Sequence, residues 1–333
     1  MTTTDIEPVD TPAPWRGAVL QQREDIWRRE FEPAEMTELL ETSERALTAT
    51  PDITAIDSDH FPMPRVADRL RQWRSELADG PGMLLIRGLP VRDIGKAHAA
   101  AAYWLVGAQL GEPKAQNGAG QRLVDIRDVG PDGIEKRSRL YKTRKELTFH
   151  TDGADIIGLL CLRAGKSGGV SRICSSVHVH NEIVRRRPDI AGLLYQLYHH
   201  HAHNEFGPEG QRTFEYPIVS RSGTMFRMLL LSWYIRAAAD DFPDIATLSA
   251  DQLALLDLLE QIPQEDGVAL DMNFQEGDMQ FLRNAVVLHA RTEYEDWPHP
   301  DDKRHLLRLW LTAPDFEDGD ARLRSGFTAS AET

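Results

Sequence analysis

The 333-residue chain predicts an antiparallel β sandwich or barrel, mainly β with helical inserts, in a single domain. Three observations lead there. From about residue 120 onward the sequence breaks into nine short apolar runs bounded by Gly, Pro and Asp. Helical periodicity is concentrated in the first third of the chain. Hydrophobic residues make up 41% and charged residues 27%, a globular composition that can bury a sizeable core.

The elements follow in chain order. Residues 1–15, "MTTTDIEPVDTPAPW", are acidic and proline-bearing; they read as a flexible arm and lack the basic-then-apolar pattern of a signal peptide. A helical part spans 16–115. Within it, "ADRLRQWRSELADG" puts Leu70, Trp73 and Leu77 on one face and stops at Gly80. "GMLLIRGLP" (82–90) is a short strand, and alanine-rich "GKAHAAAAYWLVGAQLG" (95–111) is a helix. The β core covers about 120–315, with strands in "RLVDIRDV", "ELTFHTDG", "IIGLLCLRAG", "VSRICSSVHV", "FEYPIVSRSG", "VALDMNFQEGD", "MQFLRN", "AVVLHAR" and "RHLLRLWLTA". Helical inserts interrupt it at 181–198 and roughly 230–262, and 316–333 form a tail.

Charge and cysteine usage narrow the function classes. With 38 Lys and Arg against 52 Asp and Glu, the net charge is −14, which argues against nucleic acid or an anionic membrane as the main partner. No apolar run reaches membrane-spanning length. Cys161 and Cys174 are too few for a disulfide framework, so a cytoplasmic location is the simplest. A homo-oligomer stays open.

Histidine–acid pairs carry the chemistry. His150 and Asp152 in "FHTDG" end a strand-like run, and residues two apart on a strand share a face, so both can converge on one ion. Three other pairs have simpler explanations. His180 and Glu182 open a helix, where positions i and i+2 diverge. His299 and Asp301 flank Pro300 in an exposed loop. His203 and Glu205 belong to the irregular cluster "YHHHAHNEF", which suits a polar surface or cavity wall. A third ligand is needed, and His289 in "AVVLHAR" supplies it on a late strand; two histidines and a carboxylate leave three metal positions open. By itself His289 better suits a hydrogen-bonded core position. Arg308 lies nineteen positions later in "RHLLRLWLT", on a face with Arg304, Leu306 and Trp310. A buried arginine requires an anion, either a ligand carboxylate or an internal acid.

These motifs, in this order, resemble the taurine dioxygenase/clavaminate synthase-like (TauD/TfdA) family of Fe(II)- and 2-oxoglutarate-dependent oxygenases. The matching stretches are "FHTDG" (149–153), "AGKSGGVSRICSS" (164–176), "LRNAVVLHAR" (282–291) and "RHLLRLWLT" (304–312), and the resemblance covers roughly 60–315. It implies a double-stranded β-helix, or jelly roll, flanked by helices, and one oxygenase domain over 16–315. It implies iron ligation by His150, Asp152 and His289, and a grip on the far carboxylate of 2-oxoglutarate by Arg308 and Ser171. Arg304 matches a second basic residue beside the site, and Asn284 a turn-shaping asparagine. Halogenating relatives carry a small residue where Asp152 stands, so halogenation is not expected. The implied reaction consumes O2 and oxidises an unactivated C–H bond of a small polar or natural-product molecule, hydroxylation by default, releasing succinate and CO2; desaturation or cyclisation is the alternative outcome.

The substrate is less determined. Tyr141 and Thr143 on one strand face, with Asn117, are the pocket candidates, and 199–216 is a candidate lid or a plain surface loop. Two other classes compete: a β-barrel metalloenzyme that uses no 2-oxo acid, and a non-catalytic barrel. Arg308 separates the first of these, because an internally satisfied arginine would favour it. Loss of a ligand would have favoured the second.

Overall fold

The computed structural model describes residues 6–12, 14–128, 143–203 and 211–317. Two β-sheets face one another across a cavity. The larger has the strand order Arg28–Glu30, Met83–Arg87, Met279–Arg283, Ile156–Arg163, His305–Thr312, Glu112–Pro113, with Leu123–Ile126 also paired to His305–Thr312. The smaller has the order Leu270–Met272, Ser171–Ser175, Val287–Arg291, Leu147–His150, and every pairing in it is antiparallel. The fold is therefore mixed α and β.

Alternation along the strands sorts the two faces of the larger sheet. Leu84, Ile86, Ile156, Leu160, Phe281, Leu307, Leu309 and Leu311 point outward into one apolar cluster with Leu39, Leu70, Trp73, Leu77 and Leu105. Those partners come from the helices Pro33–Ala49, Pro64–Asp79 and Val91–Leu110. The Leu70/Trp73/Leu77 stripe anticipated from periodicity is buried as expected. Helix Val91–Leu110 lies so close to the sheet that a Cβ on Gly107 would stand 2.6 Å from Leu309 Cδ1, so any side chain there would have to displace Leu309. The opposite face presents Met83, Leu85 and Leu282 to Ile173, Cys174 and Val287 of the smaller sheet.

Several boundaries differ from the sequence expectation. Strand Ser171–Ser175 stops earlier than "VSRICSSVHV" suggested, because the Ser175 side chain accepts a hydrogen bond from His178 N and caps a helix over Ser176–Arg186. The 181–198 insert thus begins sooner and ends in a 3-10 turn, Ala191–Tyr195. Its last residues join a strand, Leu197–His201, paired with Thr213–Pro217, so most of the candidate lid is a β-hairpin whose 204–210 portion lies outside the described residues. The 230–262 insert is two helices, Ser232–Asp241 and Ala250–Gln261. Within the presumed arm, Val9 is 2% exposed and Asn181 hydrogen-bonds both its N–H and its carbonyl, which pins the chain there. Both cysteines are free and buried. Among the described residues no helix is long and apolar enough to cross a membrane.

Candidate active site

Strand pairing builds the first half of the site. His289 and His150 are direct cross-strand partners, with ring centroids 4.2 Å apart. Asp152 lies just beyond the strand end rather than on it, and the loop is held from two sides. Asn284 Oδ1 accepts from Asp152 N at 3.0 Å, while Asn284 Nδ2 donates to the carbonyls of Asp152 (2.7 Å) and Ala154 (2.8 Å). On the other side, Thr151 N donates to Leu230 O and Thr151 Oγ1 accepts from Leu230 N. The anticipated convergence of His150 and Asp152 thus comes from a clamped loop, not from strand alternation.

The clamp brings Asp152 Oδ1 within 3.8 Å of His150 Nε2 and Oδ2 within 3.8 Å of His289 Nε2. One donor atom from each residue lies within 4.8 Å of the others. Donor atoms that close to one another could be drawn onto one shared ion, whose nitrogen and oxygen ligands stand about 2 Å from it. Protonation states suit such an ion. His150 Nδ1 donates to the Thr148 carbonyl at 2.8 Å, which leaves the Nε2 lone pair facing the cavity. Burial lowers the pKa of His150, and burial with the neighbouring His150 lowers that of His289 to about 3. Both rings are therefore neutral at physiological pH, the ligating form. For Asp152 burial opposes ionisation, but Arg308, His289 and His150 outweigh it and hold the pKa at about 2. Two neutral imidazoles and one carboxylate on one side of an ion fit iron(II) with open positions.

Arg308 and Trp310 sit on the metal side. Arg308 Nη1 and Trp310 Nε1 both donate to Asp152 Oδ2, at 3.1 and 3.0 Å. Arg308 Nε donates to Gln116 Oε1 at 2.7 Å, and Gln116 returns a bond to the Arg308 carbonyl. Arg308 thus contacts an acid and the cavity at once.

The other end of the cavity is cationic. Ser171 and Arg291 are cross-strand partners, one register step from the His150/His289 pair. Arg304 packs on the Gly168-Gly169 turn, whose φ values of +71° and +68° require glycine; a Cβ on Gly169 would come within 2.9 Å of Arg304 Nε. Arg291 and Arg304 are both 5% exposed. Burial lowers the pKa of each, that of Arg291 to about 10, with Arg304 adding repulsion. Among the described residues, Arg291 Nε and Nη1 and Arg304 Nη1 have no hydrogen-bond partner. Ser171 Oγ exchanges hydrogen bonds with Gln280.

The cavity encloses about 150 Å³ between these two ends. Its remaining wall is apolar and aromatic, with Ile126, Leu147, Leu231, Trp233, Tyr234 and Phe274. Trp233 packs edge-on against His150, ring centroids 5.2 Å apart. Of the substrate candidates, Asn117 and Thr143 are not among its lining residues. Asn117 folds back on its own turn, accepting from Ala119 N and Gln121 N. Thr143 offers its backbone carbonyl to Arg291. Tyr141 lies outside the described residues. Sequence reasoning passed over Trp233, Tyr234 and Arg291; for Arg291 the signal was available, because it stands two residues after His289 and shares its face.

The remaining histidine–acid pairs lie away from this cavity where they are described. His180 Nε2 pairs with Tyr195 Oη at 2.7 Å, Glu182 with Arg185 and Arg186, and His299 is exposed. His203 stacks on His201, and Glu205 lies outside the described residues.

Residues 45–310 match the family model for taurine catabolism dioxygenase TauD, TfdA family. The chain belongs to this family. It is a non-haem iron dioxygenase that uses iron(II), 2-oxoglutarate and O2, and the His150, Asp152 and His289 cluster fits that metal. Among characterised relatives it is 29% identical over 312 residues to FR-33289 synthase of Streptomyces rubellomurinus, covering 92% of this chain and 90% of the relative. It is 26% identical to taurine hydroxylase-like protein SAT17 of Stachybotrys chartarum, covering 76% and 67%. The fold is shared with an asparagine oxygenase solved with Fe(II), hydroxyasparagine and succinate (TM-score 0.65, 19% identity, 86% and 93% covered). It is also shared with the non-haem iron oxygenase OrfP, solved with Fe, succinate and hydroxyarginine (TM-score 0.62, 18% identity, 86% and 94% covered). Family membership displaces the metal barrel that uses no 2-oxo acid and the non-catalytic barrel.

Proposed function

We propose that this dioxygenase hydroxylates an unactivated C–H bond of a small polar molecule, amino-acid-like or a natural product, with release of succinate and CO2. In the same assignment, residues 16–315 form one domain whose two facing sheets are a double-stranded β-helix, the jelly roll. The observation that carries it is the two-residue step along strand Val287–Arg291. His289 lies at the metal end and Arg291 beside Ser171 at the cationic end, about 6.6 Å apart along the strand. A five-carbon 2-oxo diacid spans such a distance with its oxo end on the metal and its far carboxylate among Ser171 and Arg304.

The residue roles follow from this geometry. His150, Asp152 and His289 hold iron(II). Ser171 and Arg304 anchor the far carboxylate, since Arg304 keeps an unpartnered N–H there. Arg308, bonded to the ligand carboxylate itself, orients Asp152 at the metal end and offers its charge to an anionic group of the substrate. When bound, iron(II) and 2-oxoglutarate would supply electrons that activate O2, the oxidant, one of whose atoms ends in succinate and the other in the product. The protein's share is positioning and the exclusion of water: Trp310 and Arg308 fix the carboxylate ligand, and the Leu231, Trp233, Tyr234 and Phe274 wall keeps the cavity dry. Relatives solved with hydroxylated amino acids support the substrate class and the hydroxylation outcome.

The test is a panel of amino acids and small polar anions with iron(II), 2-oxoglutarate and O2. A substrate should raise succinate release and give a product heavier by one oxygen atom in equal amount. Succinate release with a desaturated or cyclised product would replace hydroxylation, and no panel member stimulating turnover would discard the amino-acid-like class.

A further inference from the structure

Arg291 has no place in the roles above, yet it is one of the most constrained side chains in the cavity. Its guanidinium is divided between two tasks. Nη2 donates to the Thr143 carbonyl at 2.9 Å and to the Lys145 carbonyl, which ties down the segment that feeds strand Leu147–His150. Nε and Nη1 are buried without a partner and belong to the end of the cavity that holds Ser171 and Arg304.

The second guanidinium there sharpens the problem. Arg291 Cζ and Arg304 Cζ lie 4.9 and 5.0 Å from the Tyr294 ring centroid, so one aromatic ring serves both cations. Among the described residues neither forms an ion pair with a carboxylate: Asp128 is paired with Arg144, and Asp296 accepts from the Arg304 backbone N–H. Two buried like charges without an acid are costly unless an anion joins them. One guanidinium would serve a single carboxylate; here two converge, one of them wired to the backbone.

We propose that Arg291 is a second cofactor-binding arginine, and that it couples occupancy of the carboxylate end to the Thr143–Glu146 segment. This rests on the placement of the 2-oxoglutarate carboxylate at Ser171 and Arg304 given above. With the cradle empty, Arg291 holds the Thr143 and Lys145 carbonyls against repulsion from Arg304. With a carboxylate in place, both guanidiniums are neutralised and the mooring tightens. Thr143–Glu146 leads straight into the strand carrying His150, so cofactor binding also steadies the first metal ligand.

The test needs no turnover. Binding of 2-oxoglutarate to the protein under anaerobic conditions with Mn(II) in place of iron is measured by calorimetry, and hydrogen exchange is followed in the peptide covering 143–147. Wild type should show slower exchange there on adding 2-oxoglutarate. Arg291→Gln should weaken binding about tenfold, the loss of one charge-assisted contact, and abolish the added protection. Arg291→Lys, which keeps the charge but not the fork, guards against misfolding and should bind better than Arg291→Gln while still losing the protection. Arg304→Gln separates the two levels. If it weakens binding and Arg291→Gln does not, the second arginine is wrong while the cradle stands. If neither weakens binding, the cradle itself is misplaced. Weakened binding in Arg291→Gln with the protection intact would overturn the coupling.

Discussion

At the residue scale, the iron site is held in shape by side chains that do not ligate. Asn284 fills three hydrogen bonds to the Asp152–Ala154 loop while 1% exposed. Its replacement by Ala leaves a buried N–H and two carbonyls unsatisfied, so Asn284→Ala should lose ~3 kcal/mol in urea unfolding and bind iron poorly. An unchanged midpoint would show that the loop is fixed by Thr151 and Leu230 alone. Trp310 acts more narrowly, through one indole N–H on Asp152 Oδ2. Trp310→Phe should keep the fold and weaken Co(II) or iron(II) affinity about tenfold; wild-type affinity would mean that Arg308 suffices. The three clustered residues were legible in the sequence because His-x-Asp and a late-strand His are local patterns. The clamp was not, since Asn284 and Asp152 are far apart in sequence and meet only through the fold. Arg308 was legible as buried and anion-seeking, and the acid it meets is Asp152 itself, which is why the far carboxylate is proposed at Arg304.

At the scale of elements, the Gly168-Gly169 turn connects sequence most directly to cofactor binding. It lets Arg304 lie against backbone. Gly169→Ala would displace the guanidinium and strain a positive φ, so the 2-oxoglutarate concentration for half-maximal binding should rise several-fold with little loss of iron affinity. Equal affinity would sever Arg304 from the cofactor. Helix Ser176–Arg186 illustrates a different dependence. Glu182 is held down to about 2, first by its hydrogen bond from Arg185 and then by Arg186. The unfolded value is about 4.3, so the ionised pair contributes about 1 kcal/mol above that pH and loses it as pH falls toward 2. The gap in unfolding free energy between wild type and Glu182→Gln should therefore be full at pH 7 and shrink steadily below pH 4. Strands with clean alternation were readable from the sequence. The start of this helix was not, because "SSVHVH" alternates like a strand and only the Ser175 cap turns it helical.

At the scale of the whole molecule, three layers divide the labour. The N-terminal helices bury the outer face of the larger sheet, the two sheets enclose the cavity, and helix Ser232–Asp241 adds Trp233 and Tyr234 to its wall. Composition and strand count made the layers legible. The aromatic wall of Trp233 and Tyr234 was hidden, since a helix after strands carries no sign of which cavity it caps. The most direct test of the iron and 2-oxoglutarate assignment is an anaerobic titration of iron(II) and 2-oxoglutarate, following the weak visible charge-transfer band of the chelate. The band should form with wild type, vanish in His289→Ala, and require much more 2-oxoglutarate in Arg304→Ala. A folded, iron-loaded wild-type protein without the band would contradict the account.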